Sequence, residues 1–289
     1  MDKIRMRTNA GSINLRVTTK DGSPCEVWNG GKKIAELQSD NKENIAVQNK
    51  AEEIIIKGYD IQELYCCGSK LTALDISGLT SLKELYCYNN QLTSLAVSGL
   101  TSLQHLDCSD NQLTELDVSG LTSLKELYCY NNQLTSLAVS GLTSLRTLSC
   151  PHNQLTTLDV SGLTSLKHLD CQYNQLTTLN LSGCASLEEL ECYRNRLTKL
   201  DISSCTSLKE LYCYNNKLSA EDLKKIFEDL PERKEKDGMA VLYNSCGNVN
   251  DNNYKDFTQP PELAASLEAA KAKGWRLYIN NHNGYEEEL

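Results

Sequence analysis

Residues 82–102 read LKELYCYNNQLTSLAVSGLTS, and residues 124–144 repeat those 21 residues without a change. Looser copies surround them. The pattern L-x-x-L-x-C-x-x-N-x-L-T-x-L-x-V-S-G-L-T-S begins at Ile61, Leu82, Leu103, Leu124, Leu145, Leu166, Leu187 and Leu208, each start 21 residues after the last. A fixed period of this length marks a solenoid: one unit cannot bury its apolar face alone, but stacked units share a continuous core. The two identical copies point to recent duplication or to design.

The period assigns a role to each position. Positions 3 to 7 of each repeat form a short strand whose side chains alternate between faces. Positions 4 and 6 point inward, which buries Leu64, Leu85 and Leu106 beside Cys66, Cys87, Cys108, Cys129, Cys150, Cys171, Cys192 and Cys213. Positions 11, 14, 16 and 19 complete the core, as with Leu92, Leu95, Val97 and Leu100. Position 9 is Asn in seven repeats, from Asn90 to Asn216, with Ser69 in the first. The chain bends inward there and frees backbone groups from the ladder, and an inward Asn carries both donors and acceptors to satisfy them.

Thirteen cysteines invite a disulfide or metal reading. Eight lie at one inward position, a turn apart. Their Cβ vectors run side by side rather than facing, which is poor bridging geometry. Zinc needs four ligands converging on a point, not a line. The expectation is a stack of buried reduced thiols acting as small hydrophobes, with Cys184 and Cys205 replacing core Leu at position 19, and with no metal or cofactor. Cys25, Cys67 and Cys246 have no assigned role.

Residues 1–60 read as β, with strands at 4–7, 12–18, 25–28, 33–37, 44–47 and 53–56 separated by Asn-, Asp- and Gly-rich turns. A small β-sandwich running into the first repeat is expected. After Leu218, Ser219 is a suitable N-cap for an amphipathic helix through Leu223, Ile226, Phe227 and Leu230 that stops at Pro231. A strand at 239–243, a polar loop at 248–253, a helix at 261–273 ended by Gly274 and a strand at 275–279 follow, with a solvated tail at Glu286, Glu287 and Glu288. The predicted organisation is a β-rich N-terminal cap at 1–60, repeats over 61–217 and an α/β C-terminal cap at 218–289.

The formal net charge is −9, with the acidic excess in residues 61–289, and no cluster of Lys and Arg suits a phosphate backbone. Nucleic acid is therefore not an expected partner. No run of apolar residues is long enough to span a membrane. The N-terminus lacks the apolar core of an export signal, so the chain is expected either to be cytosolic or to have lost a signal by trimming.

The unit with Cys at position 6 and L-T-x-L-D-V-S after the Asn resembles the cysteine-ladder leucine-rich repeats of some internalins, and more closely those of surface proteins of Bacteroides-type bacteria. The likeness covers residues 61–217 and extends loosely to both ends. It implies an α/β repeat solenoid with a parallel sheet on its concave face, export to a bacterial cell surface and binding of host or microbial ligands. Related N-terminal domains carry a W-G-D-G turn where this chain has Val27-Trp28-Asn29-Gly30-Gly31, a departure from the pattern.

Positions 3, 5 and 7 display 24 side chains on that face, of which eight are Tyr, eight are acidic and none is Lys or Arg. The candidate ligand-binding residues are Tyr65, Glu84, Tyr86, Tyr88, His105, Asp107, Glu126, Tyr128, Tyr130, His168, Asp170, Tyr193, Tyr212 and Tyr214. Tyrosine gives rigid amphipathic contact, and carboxylates favour cationic or hydroxyl-rich ligands. Lys83, Lys125, Arg146, Lys167 and Lys209 at position 2 stand beside the sheet, where they would partly neutralise the acids. A protein or peptide with a basic patch is the favoured ligand, and a glycan also fits. The alternatives are a structural spacer or engineered scaffold without a ligand and, more remotely, a glycan-acting hydrolase using Glu189 and Glu191. The chain is expected not to be an enzyme: His105 and His168 are three turns apart, His152 adjoins a core-facing Cys150, and no phosphate loop or Ser nucleophile motif occurs.

Overall fold

The computed structural model describes residues 1–245, 252–281 and 286–289. Cys246 and the polar loop at 248–251 lie outside the described residues. The chain divides into two compact units, Met1–Leu137 and Ala138–Leu289.

In the first unit, strands β1 (Asp2–Thr8), β2 (Ser12–Thr19), β3 (Cys25–Asn29), β4 (Lys32–Leu37), β5 (Glu43–Ala46) and β6 (Ile54–Gly58) fulfil the six expected strands. Repeat strands follow: β7 (Ile61–Tyr65), β8 (Leu71–Asp75), β9 (Glu84–Tyr86), β10 (His105–Asp107) and β11 (Glu126–Tyr128). One sheet runs β4-β3-β6-β1-β8, so the first repeat supplies a strand to the cap. The other begins β5-β2-β7, with β2 antiparallel to β7, and continues in parallel through β9, β10 and β11. Period-two burial on β1 and β2 places Ile4, Met6, Ile13, Leu15 and Val17 in the cap core. Cys25 joins them against Gly58, where any side chain would collide with its sulfur, and burial pushes its thiol up to about 11.

In the second unit, β12 (Thr147–Ser149), β13 (Thr157–Asp159), β14 (His168–Asp170), β15 (Thr178–Asn180), β16 (Glu189–Glu191) and β17 (Glu210–Tyr212) come from the repeats. β12, β14, β16 and β17 pair in parallel, and β13 with β15 forms a separate short ladder. Helix α1 (Ala220–Asp229), strand β18 (Gly238–Asn244), helix α2 (Pro261–Ala272) and strand β19 (Trp275–Asn280) follow. β18 adds to β17 and β19 to β18, both parallel. α1 begins with a reciprocal Ser219–Asp222 capping box and buries Leu223, Ile226 and Phe227. Glu286–Glu288 form a further strand, β20, antiparallel to β19.

The repeat strands are short because the chain turns left-handed at position 8, with φ between 51° and 55° from Asn89 to Asn215. The next residue, the inward Asn, then secures the bend. Asn111 Nδ2 donates to Cys87 O and Cys108 O at 3.1 Å each, while its Oδ1 accepts from Leu92 N at 3.0 Å. Asn195 repeats the arrangement on Cys171 O, Cys192 O and Leu176 N. At the C-terminal end Asn253, from the cap, continues it by donating to Cys213 O at 2.9 Å and accepting from Leu218 N at 3.1 Å. At the N-terminal end Ser69 lacks the reach, and its hydroxyl exchanges hydrogen bonds with the Asn14 backbone instead. All twelve described cysteines are buried and outside any disulfide. Burial raises the thiols of Cys66, Cys87, Cys108, Cys150, Cys171, Cys192 and Cys213 in the ladder.

Candidate binding face

The side of the parallel strands away from the core carries two registered rows in each unit. In the first unit, position 3 aligns Glu63, Glu84, His105 and Glu126, and position 5 aligns Tyr65, Tyr86, Asp107 and Tyr128. These side chains, with Tyr88 and Tyr130, are half-buried. The rings form a ladder: Tyr65–Tyr86 centroids are 6.0 Å apart, Tyr86–His105 4.6 Å and His105–Tyr128 5.5 Å. Tyr88 meets Tyr65 edge-on, with hydroxyls 2.8 Å apart. Tyr86 donates to Glu84 at 2.9 Å, Tyr128 to Glu126 at 3.3 Å, and His105 Nδ1 lies 3.0 Å from Glu126. At the end of the ladder the cap sets cations over the Tyr65 ring, Lys42 Nζ at 4.6 Å and Arg16 Cζ at 5.8 Å from its centroid.

In the second unit, position 3 aligns Thr147, His168, Glu189 and Glu210, and position 5 aligns Ser149, Asp170, Glu191 and Tyr212. Asp170, Glu189, Glu191 and Glu210 therefore sit as four neighbouring carboxylates. Glu191 is pushed up to about 7, first by burial and then by the charges of Asp170, Glu189 and Glu210. Burial also raises Asp170, as it raises Asp107 in the first unit. Gln172 bridges the pair, its backbone N–H donating to Asp170 and its Nε2 to Glu191. His168 is exposed, 3.0 Å from Glu189, and Tyr212 donates to Glu210 at 3.1 Å.

Two expectations need correction. Tyr214 is not displayed: it is 8% exposed and lies flat against half-buried Tyr193, centroids 4.4 Å apart. The strand beside it is β18 of the cap rather than another repeat, so this position lacks the open setting of Tyr88 or Tyr130. The position-2 lysines also do not neutralise the face. Lys83 and Lys125 donate sideways to Gln62 and Gln104, while Lys167 and Lys209 both clasp Glu188, at 2.9 and 2.6 Å, holding its carboxyl down at about 2. Cys150 is fully buried and its thiol raised, whereas His152 is exposed, so no Cys–His dyad forms. Cys67, at position 7, is buried with its thiol 3.2 Å from Tyr86 O. Among the described residues no group of three or more His, Cys, Asp or Glu is placed to hold a metal, and no helix is long and apolar enough to cross a membrane.

The sequence reading weighed His152 only as a partner for Cys150 and missed its grouping with Tyr173 and Arg194, which occupy the left-handed position 8 where other repeats have Asn, Asp or Gly. That departure from the period was the available signal.

A thiol column, an inward Asn and a three-residue parallel strand in each turn define a leucine-rich-repeat solenoid of the cysteine-ladder kind. The family described as Leucine Rich repeats (2 copies) matches residues 101–142, 143–183 and 185–225. Among solved structures, the chain is similar to the functional domain of InlJ from Listeria monocytogenes, which includes a cysteine ladder. The two are 37% identical with a TM-score of 0.56, over 64% of this chain and 39% of that one. It is also similar to a leucine-rich-repeat protein of Leptospira interrogans, at 26% identity and a TM-score of 0.57, over 77% of this chain and 55% of that one. The chain thus spans well under two thirds of either. No curated protein sequence matches it significantly. Leucine-rich-repeat proteins are typically non-catalytic binding modules.

Proposed function

We propose that the chain is a non-catalytic adhesion module that holds a protein ligand, through a basic segment, against the tyrosine- and acid-bearing face of its strands. In this reading residues 1–60 and 218–289 cap the array, residues 61–217 bind, and the module is displayed at a bacterial cell surface, as its internalin-like neighbour suggests. The observation that carries the reading is the placement of Lys42 and Arg16 over Tyr65: the protein's own cations occupy the end of the ladder as a ligand's Lys or Arg would occupy the rest. The position-2 lysines are engaged elsewhere, which leaves the acids free to steer a cationic partner.

Binding of the full chain to basic, neutral and acidic peptides immobilised on a sensor surface tests this. The basic peptides are expected to bind, more weakly at high salt, and Tyr86→Ala with Tyr128→Ala should weaken binding by about 30-fold, the scale of a lost aromatic hot spot. Unchanged binding in that double variant would move the site off this face. Absence of binding by every peptide would favour a spacer.

A further inference from the structure

The backbone at position 8 is left-handed in successive repeats, a conformation that suits Asn89, Asp110, Asn131 and Asn215. Three consecutive repeats place His152 (φ 53°), Tyr173 (φ 51°) and Arg194 (φ 54°) there instead. For Tyr and Arg this conformation is unfavourable, and the fold requires none of the three, since Asn serves the same turn elsewhere. They are also organised. His152 and Tyr173 stack with centroids 4.2 Å apart and planes 18° apart, and the Arg194 guanidinium lies over the Tyr173 ring, 4.8 Å from its centroid. Tyr193 braces Tyr173 edge-on at 5.8 Å.

The stack is open to solvent: His152 and Arg194 are exposed and Tyr173 is half-buried. Among the described residues the side-chain polar groups of His152, Tyr173 and Arg194 have no hydrogen-bond or ion-pair partner. Their side chains are already fixed by stacking, so a ligand would lose little rotamer entropy in engaging them. A basic peptide is repelled by Arg194. An acidic peptide meets the carboxylates of Asp170 and Glu191 close by; His152 is near enough to Asp170 for their charges to interact. A ligand with one carboxylate among many hydroxyls satisfies both: guanidinium pairs bidentately with carboxylate, and hydroxyls can accept from Tyr173 and His152 while donating to neighbouring acids.

We propose that His152, Tyr173 and Arg194 form a second binding site, distinct from the strand face, for a carboxylated pyranose of a glycan. Arg194 takes the carboxylate, and Tyr173 and His152 take ring hydroxyls. Calorimetric titration of the full chain with a sialyl-oligosaccharide and with a uronate oligosaccharide tests the site and tells the two sources of carboxylate apart, and each is matched by its carboxyl-reduced counterpart. Binding of at least one acidic sugar is expected, with the reduced form weaker by about tenfold or more, as for a lost charge-assisted hydrogen bond. Arg194→Asn should match that loss, and Tyr173→Asn and His152→Asn should each weaken binding by about three- to tenfold. Because Asn is native to this position in other repeats, these variants should stay folded, with melting temperatures within a few degrees of the parent. Tyr86→Ala with Tyr128→Ala should bind the sugar as before. The proposal is overturned if neither acidic sugar binds, if the reduced sugars bind equally, or if Arg194→Asn binds undiminished.

Discussion

The strand faces of the two units use the same repeat positions but distribute charge differently. In Met1–Leu137 position 5 is mostly tyrosine, so Asp107 stands between Tyr86 and Tyr128, and hydroxyls reach back to Glu84 and Glu126. In Ala138–Leu289 position 5 sets Asp170 directly opposite Glu191, whereas position 3 pairs carboxylates in both units, Glu63 with Glu84 in the first and Glu189 with Glu210 in the second. Like charges directly across a pair of strands destabilise it, and burial deepens the conflict until Glu191 resists ionising. Beneath both faces the interior is the same: thiols and inward asparagines in matching register. The repeat therefore keeps constant what the coil needs while its outer face differs between the units.

The largest expected effect lies where the units agree. Replacing Asn111 or Asn195 with Ala strips partners from two buried carbonyls and one buried N–H. At about 1–3 kcal/mol per buried unsatisfied group, each variant should lose several kcal/mol in chemical denaturation, and the two losses should be alike. A loss under 1 kcal/mol in either would show that the asparagine column does not hold the turns together.

This agreement explains what could be read without coordinates. Leu85, Cys87 and Asn90 recur at a fixed interval, so their burial follows from periodicity alone. Tyr214 occupies the same repeat position as Tyr88, but it is covered by the Tyr193 ring and reached by Asn280 of the cap, which belongs to no repeat. Asn253 acts as one more inward asparagine, yet it lies 37 residues beyond Asn216 and belongs to no copy. A lysine beside a sheet can lean toward the strand face or along its own column, and the sequence does not distinguish these. Glu286–Glu288 pairs as a strand through backbone alone, without the apolar alternation that marks one.

A middle-sized effect should expose the difference between the faces. Glu191 has its folded pKa raised from 4.5 to about 7. Between those values the unfolded chain has lost a proton that the folded chain keeps, so the contribution of Glu191 to stability is greatest below about pH 4.5 and falls as pH rises to about 7. With screening by solvent the penalty should be about 1 kcal/mol at pH 8. Glu191→Gln should remove it, flattening this part of the pH–stability profile and stabilising the protein at pH 8 but not at pH 4. Glu126→Gln, in the first unit, should produce no such gain. A variant at Glu191 that is less stable than the parent at pH 8 would mean that its hydrogen bond from Gln172 outweighs the repulsion.

The smallest effect concerns the columns beside the faces. Lys209 and Lys167 share one carboxylate, Glu188, whereas Lys125 donates to the neutral amide of Gln104. Glu188 has its pKa lowered to about 2 by these lysines, so its contribution is present above pH 4.5 and fades as pH falls toward 2. Lys209→Met should cost about 0.5 kcal/mol at pH 7 and low salt, because Lys167 remains and the pair is solvent-accessible. Lys125→Met should cost less. The two respond differently to ionic strength: around 1 M salt the Debye length shrinks to about 3 Å, which should erase most of the Lys209 effect and leave the Lys125 effect unchanged. Equal salt dependence at both positions would indicate that the Lys125 side chain reaches the acids of the strand face after all.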